Sequence, residues 1–285
     1  MGLELPHDFD MDIFCVAAGL RALGKLEHVP DRSLNATCSK IERRKNLHTR
    51  AVAGPEPGQS VVFISSKQAI LEEAFRLEKL NRARGVAAQR REASKKLGIL
   101  LGYPECCVES FTNAPRQDDA EILASLDASL DDAIHPLMNF FPRAFAPVGF
   151  VPCSLKCAPA LKHAKEIAKA LNKHFGLKQD DLENALRGVV LWFQGPLFLS
   201  FRGITNISKS GFDFDHVLSS VQLVPEANAR RHKKGAGMID ELASSINRGN
   251  RLALTPEKLL VYAGDDEVFS WAHSSLAQRF MCFGT

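Results

Sequence analysis

Four cysteines, held in two short motifs, constrain this chain more than any other feature. The first motif is Leu101-Gly-Tyr-Pro-Glu-Cys-Cys-Val-Glu-Ser-Phe111, with Cys106 and Cys107 adjacent. The second is Val151-Pro-Cys-Ser-Leu-Lys-Cys-Ala-Pro159, with Cys153 and Cys157. Each sets a proline and then cysteines at the expected start of a helix. Free backbone N–H groups and the positive helix end favour thiolate there, the form that binds metal or attacks an electrophile. Two such helix starts brought face to face would present four sulfurs, so the fold must join two well-separated segments.

The spacing bears on what the sulfurs hold. Cys153 and Cys157 fit the long end of the spacing used by structural zinc sites. The adjacent pair fits less well, because neighbouring residues on a helix diverge by about 100°. Both can bind one ion only if the backbone turns between them, or if one points elsewhere. An iron–sulfur cluster tolerates wider sulfur separation. The leading expectation is therefore a 4Fe-4S cluster bound by three or four of Cys106, Cys107, Cys153 and Cys157. With three ligands, a free iron position would be open to a small-molecule substrate or a sulfur species. The alternative is a structural zinc site in an RNA- or protein-binding module. A third reading is metal-free thiol chemistry, with one cysteine as nucleophile and a neighbour as resolver. Cys15, in an apolar helix stripe, and Cys282, in Phe280-Met-Cys-Phe283, read as small core residues. Cys38, in a polar segment, is a candidate upstream ligand.

The adjacent pair loosely resembles the cluster motif of heterodisulfide-reductase-type subunits. Val108 stands where those have glycine, and Cys-x3-Cys replaces Cys-x2-Cys. Taken together, Leu-Gly-Tyr-Pro-x-Cys-Cys-Val followed by Pro-Cys-Ser-x-x-Cys resembles an uncharacterised prokaryotic domain-of-unknown-function family found in archaea and bacteria. The resemblance covers residues 90–175. It implies that the four cysteines act as one site, and it implies no reaction.

Composition narrows the class. Among 285 residues, 45% are hydrophobic and 24% charged, too apolar for a disordered chain. Seven cysteines are too few for a disulfide scaffold, and the number is odd. The start, Met1-Gly-Leu-Glu-Leu-Pro-His-Asp8, lacks a basic n-region, and Pro6 replaces the Ser or Thr of a myristoylation motif. The most apolar region, Ala133 to Val151, carries His135, Asn139, Arg143 and three prolines, so no membrane span is expected. These features suggest a cytoplasmic protein with reduced thiols.

Net charge is +3, a mild excess. A basic segment runs from Lys79 to Lys96. A second run, Arg230, Arg231, His232, Lys233 and Lys234, offers a surface for RNA or another anionic partner. His163, shortly after the second motif, and His135, between the motifs, could approach the sulfurs. The strings His7–Asp12 and Gly211–His216 contain metal-ligand residue types, although helix capping accounts equally well for Asp10 and Asp12. No metalloprotease, nucleophile-elbow or phosphate-loop motif is present.

Hydrophobic periodicity predicts helices over 10–23, 67–80, 87–101, from Pro104 onward, 118–132 and 159–175. Residues 60–65 read as a buried strand, 24–59 mostly as loop, and 136–152 as irregular apolar chain. After residue 180 a hairpin is expected at 189–193 and 197–201, followed by three short strands between 251 and 271. The fold class expected is α+β. A mainly helical cysteine-motif part, 1–178, precedes a C-terminal part, 179–285, with a small antiparallel sheet. No Gly/Ser-rich linker separates them, so they could share one core.

Overall fold

Gln59–Ser65 is buried at nearly every position and apolar from Val61 to Ile64, as a strand covered on both faces should be. It is β3, the middle of a three-stranded antiparallel sheet between β1 (Gly24–Pro30) and β2 (His48–Ala53). Alternation sends its side chains to two faces. Val61 and Phe63 pack with Leu71, Ala74 and Leu77 of α3 (Gln68–Arg82) and Ala93 and Leu97 of α4 (Ala87–Leu100). Val62 and Ile64 pack with Ile13 and Val16 of α1 (Met11–Ala17) and Ile41 of α2 (Leu34–Glu42). The computed structural model describes residues 10–43, 46–83, 86–114, 126, 133–141, 145–194, 197–208, 210–220, 233–255, 257–272 and 279–284.

The chain divides into two compact units. The first comprises residues 1–124, 147–153 and 157–179, and the second 125–146, 154–156 and 180–285. The first holds the sheet above together with α5 (Glu105–Asn113) and α6 (Ala158–Phe175). Gly98 of α4 faces Val108 of α5, where an added Cβ would stand 2.9 Å from a Val108 methyl. That close approach seats the start of α5. Helix α6 buries Ala160, Ala164, Ile167, Ala168 and Leu171 and stops at Gly176, whose φ of 70° suits glycine.

The second unit contains α7 (Gln179–Leu186), α8 (Lys233–Ile246) and two antiparallel sheets. One has the order β12–β4–β5–β8, from Arg279–Phe283, Gly188–Gln194, Leu197–Arg202 and His216–Ser219. The other runs β11–β10–β9–β7–β6, from Asp266–Ala272, Lys258–Ala263, Arg251–Leu254, Gly211–Asp213 and Thr205–Ser208. Both sheets and Ile239, Leu242, Ala243 and Ile246 of α8 close over one aromatic core. Phe201 lies at its centre, edge-on to Phe212 at 5.1 Å and to Phe214 at 5.4 Å.

The architecture is α+β, with helices predominating in the N-terminal part and sheets in the C-terminal part. Three local expectations are corrected. Residues 24–59 are not mostly loop: they hold β1, α2 and β2. The flanking strands carry Lys25, Glu27, Arg50 and other polar residues, as sheet edges do, and this hid them. The first helix ends at Ala17 and not at 23, because Gly19 turns left-handed at φ 71° and the Leu20 and Arg21 N–H groups close onto the Cys15 carbonyl. The C-terminal part holds two antiparallel sheets and not one small one, because β6, β7, β8 and β12, too short to read from the sequence, join the expected hairpin and three strands. The helix expected over 118–132 falls outside the described residues, except Leu126.

Candidate metal centre

Three local devices place four sulfurs together. Pro104 occupies the N-cap position of α5, so Glu105, Cys106 and Cys107 form its first turn. Cys157 is the N-cap residue of α6, which has Pro159 in its opening turn. Cys153 lies in the bend before α6, outside the helix. Its backbone N–H donates to Cys107 Sγ at 3.5 Å.

The sulfurs form a tight group. Cys106 and Cys107 Sγ are 3.9 Å apart, and each is 3.7 Å from Cys157 Sγ. With Cys153, all four lie within 4.8 Å of one another. Cys107 and Cys157 are buried, while Cys106 and Cys153 are half-buried. Among the described residues, this is the group of three or more ligand-type side chains able to hold a metal ion.

The divergence expected of adjacent helical cysteines is overcome at the helix end. Cα–Cβ bonds tilt toward the helix N-terminus, so two first-turn side chains can lean past the end and meet beyond it. In mid-helix they would part around the cylinder. At Cys107 and Cys153 the surroundings oppose the expected thiolate stabilisation. Burial pushes the Cys107 thiol well up despite the Cys153 N–H, and the nearby Cys157 and Cys153 sulfurs add to the rise. Cys153 is pushed up to about 11, by burial first and then by Cys157. The Cys107 N–H is already bonded to the Pro104 carbonyl at 2.9 Å, and Cys153 belongs to no helix. A cation reverses this balance, because coordination removes the thiol proton.

Residues 81–186 match the family model described as "Protein of unknown function (DUF483)". The matched stretch includes α4, α5, α6 and all four cysteines. The chain is 40% identical over 75 residues to an uncharacterised protein of Methanocaldococcus jannaschii, which covers 26% of this chain and 38% of that protein. It is 39% identical over 71 residues to an uncharacterised protein of Methanothermobacter thermautotrophicus, covering 25% of this chain and 36% of the other. The matches thus span little more than a third of either relative's length. No solved structure matches the chain significantly.

The other candidates lie elsewhere. Cys38 is half-buried against the Ile13 and Val62 cluster. Cys15 and Cys282 are buried, and burial pushes the Cys15 thiol up to about 12. His135 opens a single helical turn, where its Nδ1 accepts from the Leu137 N–H at 3.3 Å. Asp10 caps α1 by accepting from the Ile13 N–H at 3.0 Å, and Asp213 accepts from Asn206 at 2.6 Å. Arg230 and Arg231 lie outside the described residues, and of Lys233 and Lys234 only the α8 backbone is described. Among the described residues no helix is long and apolar enough to cross a membrane.

His163 does not join the sulfurs. Its Nε2 accepts from Arg21 Nη2 at 3.3 Å. Sequence reasoning missed Arg21, whose side chain is 0% exposed. The available signal was its position as a lone cation inside the apolar stretch from Ile13 to Leu23.

Proposed function

We propose that Cys106, Cys107, Cys153 and Cys157 hold a single tetrahedral ion, zinc fitting best, in a structural centre that fastens α5 to α6. The sulfur separations carry this reading. Sulfurs about 2.3 Å from a tetrahedral zinc stand about 3.8 Å from one another. Three of the separations here are 3.7, 3.7 and 3.9 Å. In a four-iron cluster each cysteine binds a different iron, so the sulfurs must stand further apart than around one ion. Four cysteine ligands also complete a zinc coordination shell and leave no open position for substrate, which is the pattern of structural sites. When bound, zinc would supply charge to keep four thiolates together; the Cys153 N–H would orient and stabilise the Cys107 sulfur.

Metal analysis and an absorption spectrum of the full chain, purified anaerobically, test the proposal. The expected result is about one zinc per chain and no visible colour, with loss of the metal in Cys107→Ser. Iron with acid-labile sulfide and a visible absorption band would overturn it in favour of a cluster. Metal-free protein with one rapidly alkylated thiol would overturn it in favour of thiol chemistry.

A further inference from the structure

A buried cation touches every segment that delivers a cysteine to the centre. Arg21 follows α1 on the turn closed by Gly19, and its side chain is fully buried. Nη1 donates to Asp12 Oδ1 at 2.5 Å and Nη2 to His163 Nε2 at 3.3 Å. Its Nε has no hydrogen-bond partner among the described residues. A buried guanidinium with an unpaired N–H is costly, and an apolar side chain would fill the same space at lower cost. Its presence calls for a role that packing does not supply.

The neighbours of Arg21 indicate that role. Its Cζ lies 5.7 Å from the centroid of the Tyr103 ring, and its Cγ would stand 3.2 Å from a Cβ on Gly102. Gly102 and Tyr103 lead through Pro104 into Cys106 and Cys107. A Cβ on Gly149 would stand 3.7 Å from both terminal nitrogens, and Gly149 leads into Cys153. His163 belongs to α6, the helix that Cys157 opens. The Phe150 ring bridges two of these segments, 4.6 Å from Tyr103 and 6.2 Å from His163.

We propose that Arg21 is a positioning residue for the four-cysteine centre: its fork fixes the three cysteine-bearing segments against one another. The inference rests on the metal reading above. A planar guanidinium suits the task because it donates in two directions at a fixed angle while its face meets a ring. Partners bonded directly to a ligand typically change metal affinity by about 10- to 100-fold when removed, and Arg21, which acts through the segments that carry the ligands, is expected at the lower end.

Cobalt(II) is the probe, loaded into the full chain, because its visible absorption reports the geometry of the thiolate shell. The variants are Arg21→Met, His163→Leu and His163→Gln. Arg21→Met and His163→Leu should shift or weaken the cobalt–thiolate bands. They should also lose metal to a chelator about 10-fold faster, with unchanged far-UV circular dichroism. His163→Gln keeps an acceptor for Arg21 and should resemble wild type. Should Arg21→Met fail to fold, the two His163 variants decide the matter. Wild-type spectra and release rates in Arg21→Met and His163→Leu would overturn the role of Arg21. Equal effects from His163→Leu and His163→Gln would do the same. Failure of the wild-type chain to bind either cobalt or zinc would instead overturn the metal reading itself, and this inference with it.

Discussion

Cys282 of the second unit behaves differently from the four clustered cysteines of the first. Cys282 lies inside β12, opposite Val189 of β4, and its side chain enters the phenylalanine core of the second unit. It acts there as a small hydrophobe. In the first unit Cys15 lies buried inside α1 in the same way, but the four clustered cysteines lie at a helix start, at an N-cap and in a bend. Inside an element, the strand or helix period fixes where a side chain points. At an element end that constraint lapses, and side chains from separate segments can converge on one point. The units differ in their apolar cores as well. In the second, both sheets close over a phenylalanine-rich cluster, whereas in the first the β3 sheet carries an apolar cluster on each face. A metal centre should therefore matter to the stability of one unit and not to that of the other.

Metal removal should give the largest effect. Structural zinc sites contribute on the order of 10 kcal/mol to small domains that lack another core. The first unit has its own sheet, so a smaller loss, about 5 kcal/mol of local protection, is expected. Hydrogen exchange with and without chelator should show it in the amides of 105–113 and 158–175, with those of 189–193 and 197–201 unchanged. Equal loss in both sets would break the comparison.

Phe201→Ala probes the converse. The side chain is 0% exposed and touches three other phenylalanine rings. Truncation should cost about 3–5 kcal/mol. The chain's two tryptophans, Trp192 and Trp271, both lie in the second unit, so their fluorescence follows its unfolding in denaturant. Metal content should not change; metal loss on this substitution would show that the two features are linked.

How far the sequence foretold the structure follows the same division. The buried strand β3, helices α3 to α6 and the β4–β5 hairpin were legible because apolar period and turn residues agree there. The four cysteines were legible as one set. The edge strands β1 and β2 were not, since half-exposed strands mix Lys, Glu and Arg with apolar residues and blur the alternation. Spacing alone also misjudged the adjacent pair, because the argument from divergence applies inside a helix and not to its first turn. Arg21 stood out only as a lone cation in an apolar stretch; its role was illegible because its neighbours Asp12, Tyr103, Gly149 and His163 are scattered along the chain, and only the fold assembles them.

The smallest effect concerns acid. Burial, and then the nearby Arg21 charge, lower the His163 pKa from its ordinary 6.5 to about 4. Neutral His163 accepts the Arg21 N–H; once protonated, it would present a second cation to a guanidinium whose other arm is held by Asp12. The unfolded chain takes up this proton near pH 6.5 and the folded chain only near pH 4. The folded state is therefore favoured fully above pH 6.5, and the advantage drains away as pH falls from there toward 4. Discounted for the partial exposure of the imidazole, the loss is about 1–2 kcal/mol. Acid also protonates thiols and weakens metal binding, so the informative quantity is the difference between wild type and His163→Gln, which share that effect. Chemical denaturation at steps between pH 7.5 and 5 should show wild type losing stability more steeply than the variant below pH 6.5, with parallel curves above it. Parallel curves throughout would mean that His163 takes up its proton in the folded chain as freely as in the unfolded one, and that the Arg21 contact does not depend on its neutral form.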